Sequence, residues 1–194
     1  MTSPRDIKKK LRAEALARRD ALDLQWRIEA SLAMAGQADA IDVGPDSIVS
    51  GFWPMRSEVD VRPLMFELRK KGARLVLPAI IDKTTIVFRE LVRGAELIDM
   101  GFGTAGPGPE AEELEPTLML MPLAAFDDQG HRIGYGGGFY DRAIAKLRDK
   151  GRMLRLIGIA FECQRVDAVP HEAHDIPLPA IITENGLRTL PMRG

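Results

Sequence analysis

Disulfides, membrane spans and a dominant charge are all missing from this sequence, and each absence removes a class of protein. The single cysteine, Cys163, leaves no partner for an intrachain disulfide and points to a reducing, cytoplasmic setting. No uninterrupted apolar run approaches the ~18 residues of a spanning helix, so a membrane partner is not expected. The 27 basic and 28 acidic residues leave a formal net charge of −1, which gives no support to a basic nucleic-acid-binding domain. The first residues include Arg5, Asp6, Lys8, Lys9 and Lys10 with no apolar segment behind them, and they do not read as a secretory leader. Several motifs are absent too. There is no Walker A lysine, no Cys-x-x-Cys or His-Glu-x-x-His, and no Gly-x-Ser-x-Gly. His171 and His174 are near neighbours, but Pro170, Pro177 and Pro179 make their segment an extended loop with no third strong ligand, so zinc is not expected.

What is present is enough apolar residue, 45% of 194, for one substantial core, and the expected organisation is one domain over 1–194. Helical spacing predicts a helix over 5–35, whole or broken near Leu24, with a basic face (Lys8, Lys9, Arg12, Arg18, Arg19) read mostly as solvated. Strands are expected at 48–53, at 73–77 with Pro78 ending it, and at 84–91, 117–121, 154–161 and 180–183. Helices are expected at 61–71, capped by Asp60, and at 139–150. Residues 101–116 read as loop with room for one short helical turn. Strands that alternate with helices and are apolar along their length predict an α/β layer structure with a mainly parallel sheet.

One segment stands apart. Arg132-Ile133-Gly134-Tyr135-Gly136-Gly137-Gly138-Phe139-Tyr140-Asp141-Arg142 places four glycines in five residues ahead of a helix. Amides on such a turn, feeding a helix N-terminus, present partial positive charge to an anion. Phe139 stands where a dinucleotide fingerprint needs a small residue. The residues alone therefore leave a phosphate cradle, a tight surface turn and another ligand all open. Arg132 and Arg142 flank the loop as forked donors. Asp141 is either a helix cap or a Mg²⁺ ligand, with Asp175 as a second acid. Glu58, beside Phe52 and Trp53, falls at a strand end, where open α/β sheets bind ligands.

These motifs, in this order, resemble the 5-formyltetrahydrofolate cyclo-ligase (methenyltetrahydrofolate synthetase) family over nearly the whole chain. The resemblance rests on Lys8-Lys9-Lys10-Leu11-Arg12, Glu58-Val59-Asp60, Leu77-Pro78, the run from Ala125 through Arg142, Gly158 to Phe161, and His174-Asp175-Ile176-Pro177. It implies a Rossmann-like three-layer α/β/α domain that converts 5-formyltetrahydrofolate to 5,10-methenyltetrahydrofolate with Mg²⁺ and ATP. ATP would be met by Lys8, Lys9, Lys10, Leu11 and Arg12, with Lys8 and Arg12 on the phosphates, and by Arg132, Ile133, Gly134, Tyr135, Gly136, Gly137, Gly138, Phe139 and Tyr140. The folate would be met by Glu58, Phe52 and Trp53, and by Tyr135, Gly136, Gly137, Gly138 and Phe139. Mg²⁺ would fall to Asp141 and Asp175. A monomer with small-molecule partners is expected. The chain departs from the family pattern at Gly103-Thr104-Ala105-Gly106-Pro107, at Thr117 and at Leu123.

Overall fold

The computed structural model describes residues 3–101, 103–172 and 175–191. His174, and with it the His171–His174 grouping, lies outside the described residues. In chain order the elements are α1 (Pro4–Asp20), α2 (Leu24–Ala35), β1 (Ile48–Ser50), α3 (Arg62–Lys70), β2 (Arg74–Ile80), β3 (Ile86–Glu90), β4 (Leu97–Asp99), β5 (Ala105–Pro107), β6 (Leu118–Pro122), β7 (Ala125–Phe126), β8 (Arg132–Ile133), α4 (Phe139–Asp149), β9 (Arg155–Ile159), β10 (Ala180–Thr183) and β11 (Gly186–Thr189). The N-terminal helical region is two helices. Ser3 caps α1 ahead of Pro4, and Asp23 caps α2 by accepting the Trp26 amide at 3.1 Å.

Seven strands form one sheet in the order β11-β10-β9-β6-β1-β2-β3. The five central strands are parallel, and the edges β3 and β11 run antiparallel. The pleat of β6 sorts the core. Leu118 and Leu120 pack with Met34 of α2 and with Leu64 and Leu68 of α3, whereas Met119 and Met121 pack with Ile144 and Leu147 of α4. All four β6 side chains are nearly inaccessible, as a sheet covered on both faces requires. This is the expected Rossmann-like α/β/α arrangement with a mainly parallel sheet.

Three local expectations need correction. Pro78 does not end its strand: β2 continues to Ile80. The Val76 carbonyl accepts the Gly51 amide at 3.1 Å, so by alternation the Pro78 nitrogen faces the same side, beyond the end of β1, where no ladder bond is lost. The described residues of 101–116 form no helix; β5 pairs instead with β4 as a small hairpin. Asp60 does not cap α3, whose cap is Val61. Its carboxylate binds the Arg62 amide and guanidinium. Between β6 and the glycine segment the chain forms the β7–β8 hairpin.

Candidate active site

The C-terminal ends of three parallel strands open into one cavity of about 600 Å³. Phe52 and Trp53 follow β1, Pro78 and Ile80 close β2, and Met121 and Pro122 close β6. From β1 the chain first builds outward through β2 to the edge β3, then crosses back to place β6 on the other side of β1. The cavity therefore sits at a topological switch point, where a crevice forms because neighbouring loops diverge. Its other walls are Lys8 and Arg12 of α1, the 134–138 loop and the first turn of α4.

The loop is shaped by two left-handed positions, Gly136 (φ 97°) and Gly138 (φ 64°). Gly138 is also the N-cap of α4 and supplies no capping side chain, so the first-turn amides remain available to an anion in the cavity. Arg12 Nε donates to the Gly134 carbonyl at 2.7 Å, which clamps α1 onto the loop. Arg142 Nη2 donates to the Gly137 carbonyl at 2.6 Å, and its Nε to the Thr84 carbonyl at 2.7 Å. Loop carbonyls are thus taken up by arginines that also line the cavity.

Two ion pairs stand at the same cleft. Lys8 Nζ lies 2.6 Å from Asp175 Oδ2, and Arg132 Nη2 lies 2.6 Å from Asp141 Oδ1. Arg132 Nη1 also donates to the Ile176 carbonyl, tying the segment that carries Asp175 to β8. Among the described residues no three His, Cys, Asp or Glu side chains cluster as a metal cage. Two carboxylates next to an anion cradle still fit Mg²⁺, which is commonly held by one or two carboxylates together with phosphate oxygens and water.

Glu58 forms the opposite wall. It is 8% exposed. Its Oε2 accepts the Met55 amide at 2.8 Å, whereas Oε1 is buried with no hydrogen bond. Burial pushes the Glu58 carboxyl above its ordinary range; the Tyr135 hydroxyl, the Met55 amide and the Arg19 charge pull the other way without cancelling it. Tyr135 has an exposed ring, but its hydroxyl is turned inward and accepts from Arg19 Nη1 at 2.5 Å. Burial first, and then the Glu58 charge, raise the Tyr135 and Tyr140 phenols. Trp53 stands beside this wall with the Arg62 guanidinium 4.9 Å from its ring centroid.

The structure therefore brings Lys8, Arg12, Phe52, Trp53, Glu58, Arg132, Asp141, Asp175 and every residue from Ile133 to Tyr140 to one cavity. It does not bring Lys9, Lys10 or Leu11 there. Positions i and i+4 of a helix share a face, so Lys8 and Arg12 turn inward together while the residues between them turn away. Lys10 lies 3.8 Å from Glu14 on the exposed side, and Leu11 packs on a satellite core with Ala15 and Ile133. The basic face of α1 is also not uniformly solvated, because Arg19 is only 3% exposed. Sequence reading missed Arg19, Met55, Thr104 and Ile86 as neighbours of the site. Arg19 had a usable signal, since it lies seven residues past Arg12 and so close to the same helical face.

A switch-point cleft with a glycine cradle, paired cations and carboxylates, and a buried acid opposite defines a small-molecule α/β enzyme built around an anionic substrate. The chain belongs to the 5-formyltetrahydrofolate cyclo-ligase family, whose model matches residues 4–184. It is 32% identical over 141 residues to the Escherichia coli K12 5-formyltetrahydrofolate cyclo-ligase, covering 70% of this chain and 76% of that one. Identity to the Mycolicibacterium smegmatis cyclo-ligase is 28% over 189 residues, covering 93% and 95%. The solved 5,10-methenyltetrahydrofolate synthetase of Aquifex aeolicus is similar with a TM-score of 0.79 and 28% identity, over 97% of this chain and 95% of that one.

Proposed function

We infer that this ligase carries out ATP-dependent closure of 5-formyltetrahydrofolate to 5,10-methenyltetrahydrofolate in the switch-point cavity, with the triphosphate at the glycine loop and the pterin at Glu58. The observation that carries the reading is the pairing of opposite demands across one 600 Å³ space. One wall offers amides and cations to an anion. The other holds a buried carboxylate whose Oε1 lacks a donor, and a reduced pterin supplies N–H donors.

The formamide oxygen is a poor leaving group. Its attack on the γ-phosphorus forms a new O–P bond, breaks the bond to ADP and leaves an iminium phosphate. N10 then bonds to the same carbon and gives up its proton, the C–O bond breaks, and phosphate departs with the formyl oxygen and takes up that proton. No protein nucleophile is needed. The chain must align the formyl oxygen with the γ-phosphorus and meet the charge that spreads over the phosphoryl oxygens. The α4 amides, Lys8, Arg12 and Arg132 are placed for that task. Asp141 and Asp175 would hold Mg²⁺, which neutralises phosphate charge when bound. Phe52 and Trp53 give the folate an apolar floor and exclude water from the reacting atoms. A single-domain monomer working in the cytoplasm completes this reading.

Incubation with 5-formyltetrahydrofolate and Mg·ATP, followed by the near-ultraviolet absorbance of the methenyl product, tests it directly. Product should appear only with both substrates and magnesium present. Tight folate binding without turnover would instead mark a regulator.

A further inference from the structure

Lys8 and Arg12 reach the loop side of the cavity, but α1 carries a third inward cation that the reaction outlined above leaves without a task. Arg19 is almost fully enclosed. Its Nε donates to Ser57 Oγ at 2.9 Å and its Nη1 to the Tyr135 hydroxyl at 2.5 Å. The Ser57 hydroxyl in turn donates a hydrogen bond to Asp20, a mostly exposed acid whose nearest oxygen is 4.0 Å from the Arg19 fork. One guanidinium thus joins the residue preceding Glu58 to an aromatic residue of the glycine loop.

A buried guanidinium is costly without a counter-charge. Asp20 is a weak one, because water screens it. The buried carboxylate nearby is Glu58: it follows Ser57, which Arg19 binds, and it lines the same cavity as Tyr135, and both the Tyr135 hydroxyl and the Arg19 charge favour its ionised form. Tyr140, at the start of α4, feels the Glu58 charge in turn: burial first, and then that charge, raise its phenol.

We propose that Arg19 is a positioning residue that holds the Tyr135 hydroxyl against Glu58 and keeps Glu58 ionised for the reduced folate. The role rests on the assignment of Glu58 to the pterin, but its physical core, the charge state of Glu58, can be measured without any ligand. The arrangement also couples the substrates, since Arg19 shares a rigid helix with the cations at the loop. Movement of α1 toward a triphosphate would carry the Arg19 fork with it.

The test is a ¹³C titration of the Glu58 carboxyl in the ligand-free protein, assigned by its loss in Glu58→Gln, alongside the pH profile of kcat/KM for 5-formyltetrahydrofolate. Arg19→Gln should raise the Glu58 pKa, and with it the acid limb of the profile, by about one unit, the size of effect an opposite charge at this range exerts. KM for the folate should rise about tenfold, with KM for ATP changed much less. Arg19→Lys restores the charge and should return the Glu58 titration most of the way. An unshifted Glu58 in Arg19→Gln, or a lysine variant as far displaced as the glutamine one, overturns the proposal. If Arg19→Gln fails to fold, Tyr135→Phe decides: it should also raise the Glu58 pKa, and an unchanged value overturns the role. A wild-type protein that makes no methenyl product while the Glu58 titration behaves as expected would sink the assigned reaction and leave the Arg19–Glu58 coupling standing.

Discussion

Glu58 is held against its own solvation. Desolvation outweighs the Tyr135, Met55 and Arg19 contributions, so the folded pKa lies above the ordinary glutamate value of 4.5. The sign for stability follows. Below about pH 4.5 the carboxyl is neutral in both folded and unfolded chains and costs nothing extra. As pH rises toward the folded pKa the penalty grows, and above it the penalty is complete. Glu58→Gln should therefore melt higher than wild type at pH 7, by about 1 kcal/mol or ~2–4 °C, and the gap should close in acid. Calorimetry at pH 4 and pH 7 checks this. The same variant should lose at least tenfold in kcat/KM for the folate, because an amide offers one acceptor oxygen where the carboxylate offers two. Asp141 behaves differently, since Arg132 already compensates it at 2.6 Å. Asp141→Asn keeps an acceptor for Arg132 and removes the charge. Near-normal folding with a magnesium requirement raised about tenfold or more is expected from a magnesium titration of turnover. Of these residues, Glu58 and Asp141 were legible in the sequence because they lie in distinctive strings. Arg19 was not, because a basic residue on a basic helix face looks solvated until the Tyr135 hydroxyl that it meets, 116 positions away, is in place.

Elements were legible where one local rule governed them. The apolar strands, the break between α1 and α2 and the helix after the glycine loop all follow from periodicity and capping. The failures share a cause: the deciding contact was distant in sequence. Pro78 continues its strand only because β1 ends beside it, and β5 exists only because β4 offers an edge. The departures from the family pattern are absorbed in similar ways. Thr117 Oγ1 accepts the Ile48 amide at 3.0 Å and holds β6 to β1. Leu123 is buried against Gly158, where an added methyl would come within 2.7 Å of it. The glycine loop gives the element-scale prediction. Gly136 sits at φ 97°, and a methyl there would lie 3.8 Å from Arg12, which is ordinary contact. The cost of Gly136→Ala is therefore backbone strain, about 1–2 kcal/mol, and not a clash. The loop should relax away from Arg12, so KM for ATP should rise several-fold while folate binding in the absence of nucleotide stays near normal. Separate isothermal titrations of the two ligands distinguish this from general unfolding.

Across the whole molecule, the sheet and its covering helices form a continuous frame, and α1 is the helix that buries the smallest share of its residues in it. Only Ala15 and Arg19 are buried along its 17 residues, and its apolar contacts go to a small satellite core with Ala124, Ala125, Ile133 and Val169. By contrast α3 buries Leu64, Met65 and Leu68 in the main core. Much of what holds α1 in place is polar: Lys8 to Asp175, Arg12 to the Gly134 carbonyl, Arg18 to the Cys163 carbonyl at 2.7 Å, and Arg19 to Tyr135. Two of these groups, Lys8 and Arg12, face the space given to the triphosphate, so a bound anion adds contacts to the least buried helix. Local opening free energies vary across a fold, and a ligand that binds only the closed form raises the lowest of them. Amide exchange of residues 4–20 should slow by about tenfold or more in saturating Mg·ATP, while that of 62–70 should change little. Equal protection of both helices would mean that nucleotide binding stiffens the domain as a unit, and no change in α1 would remove Lys8 and Arg12 from the phosphate site.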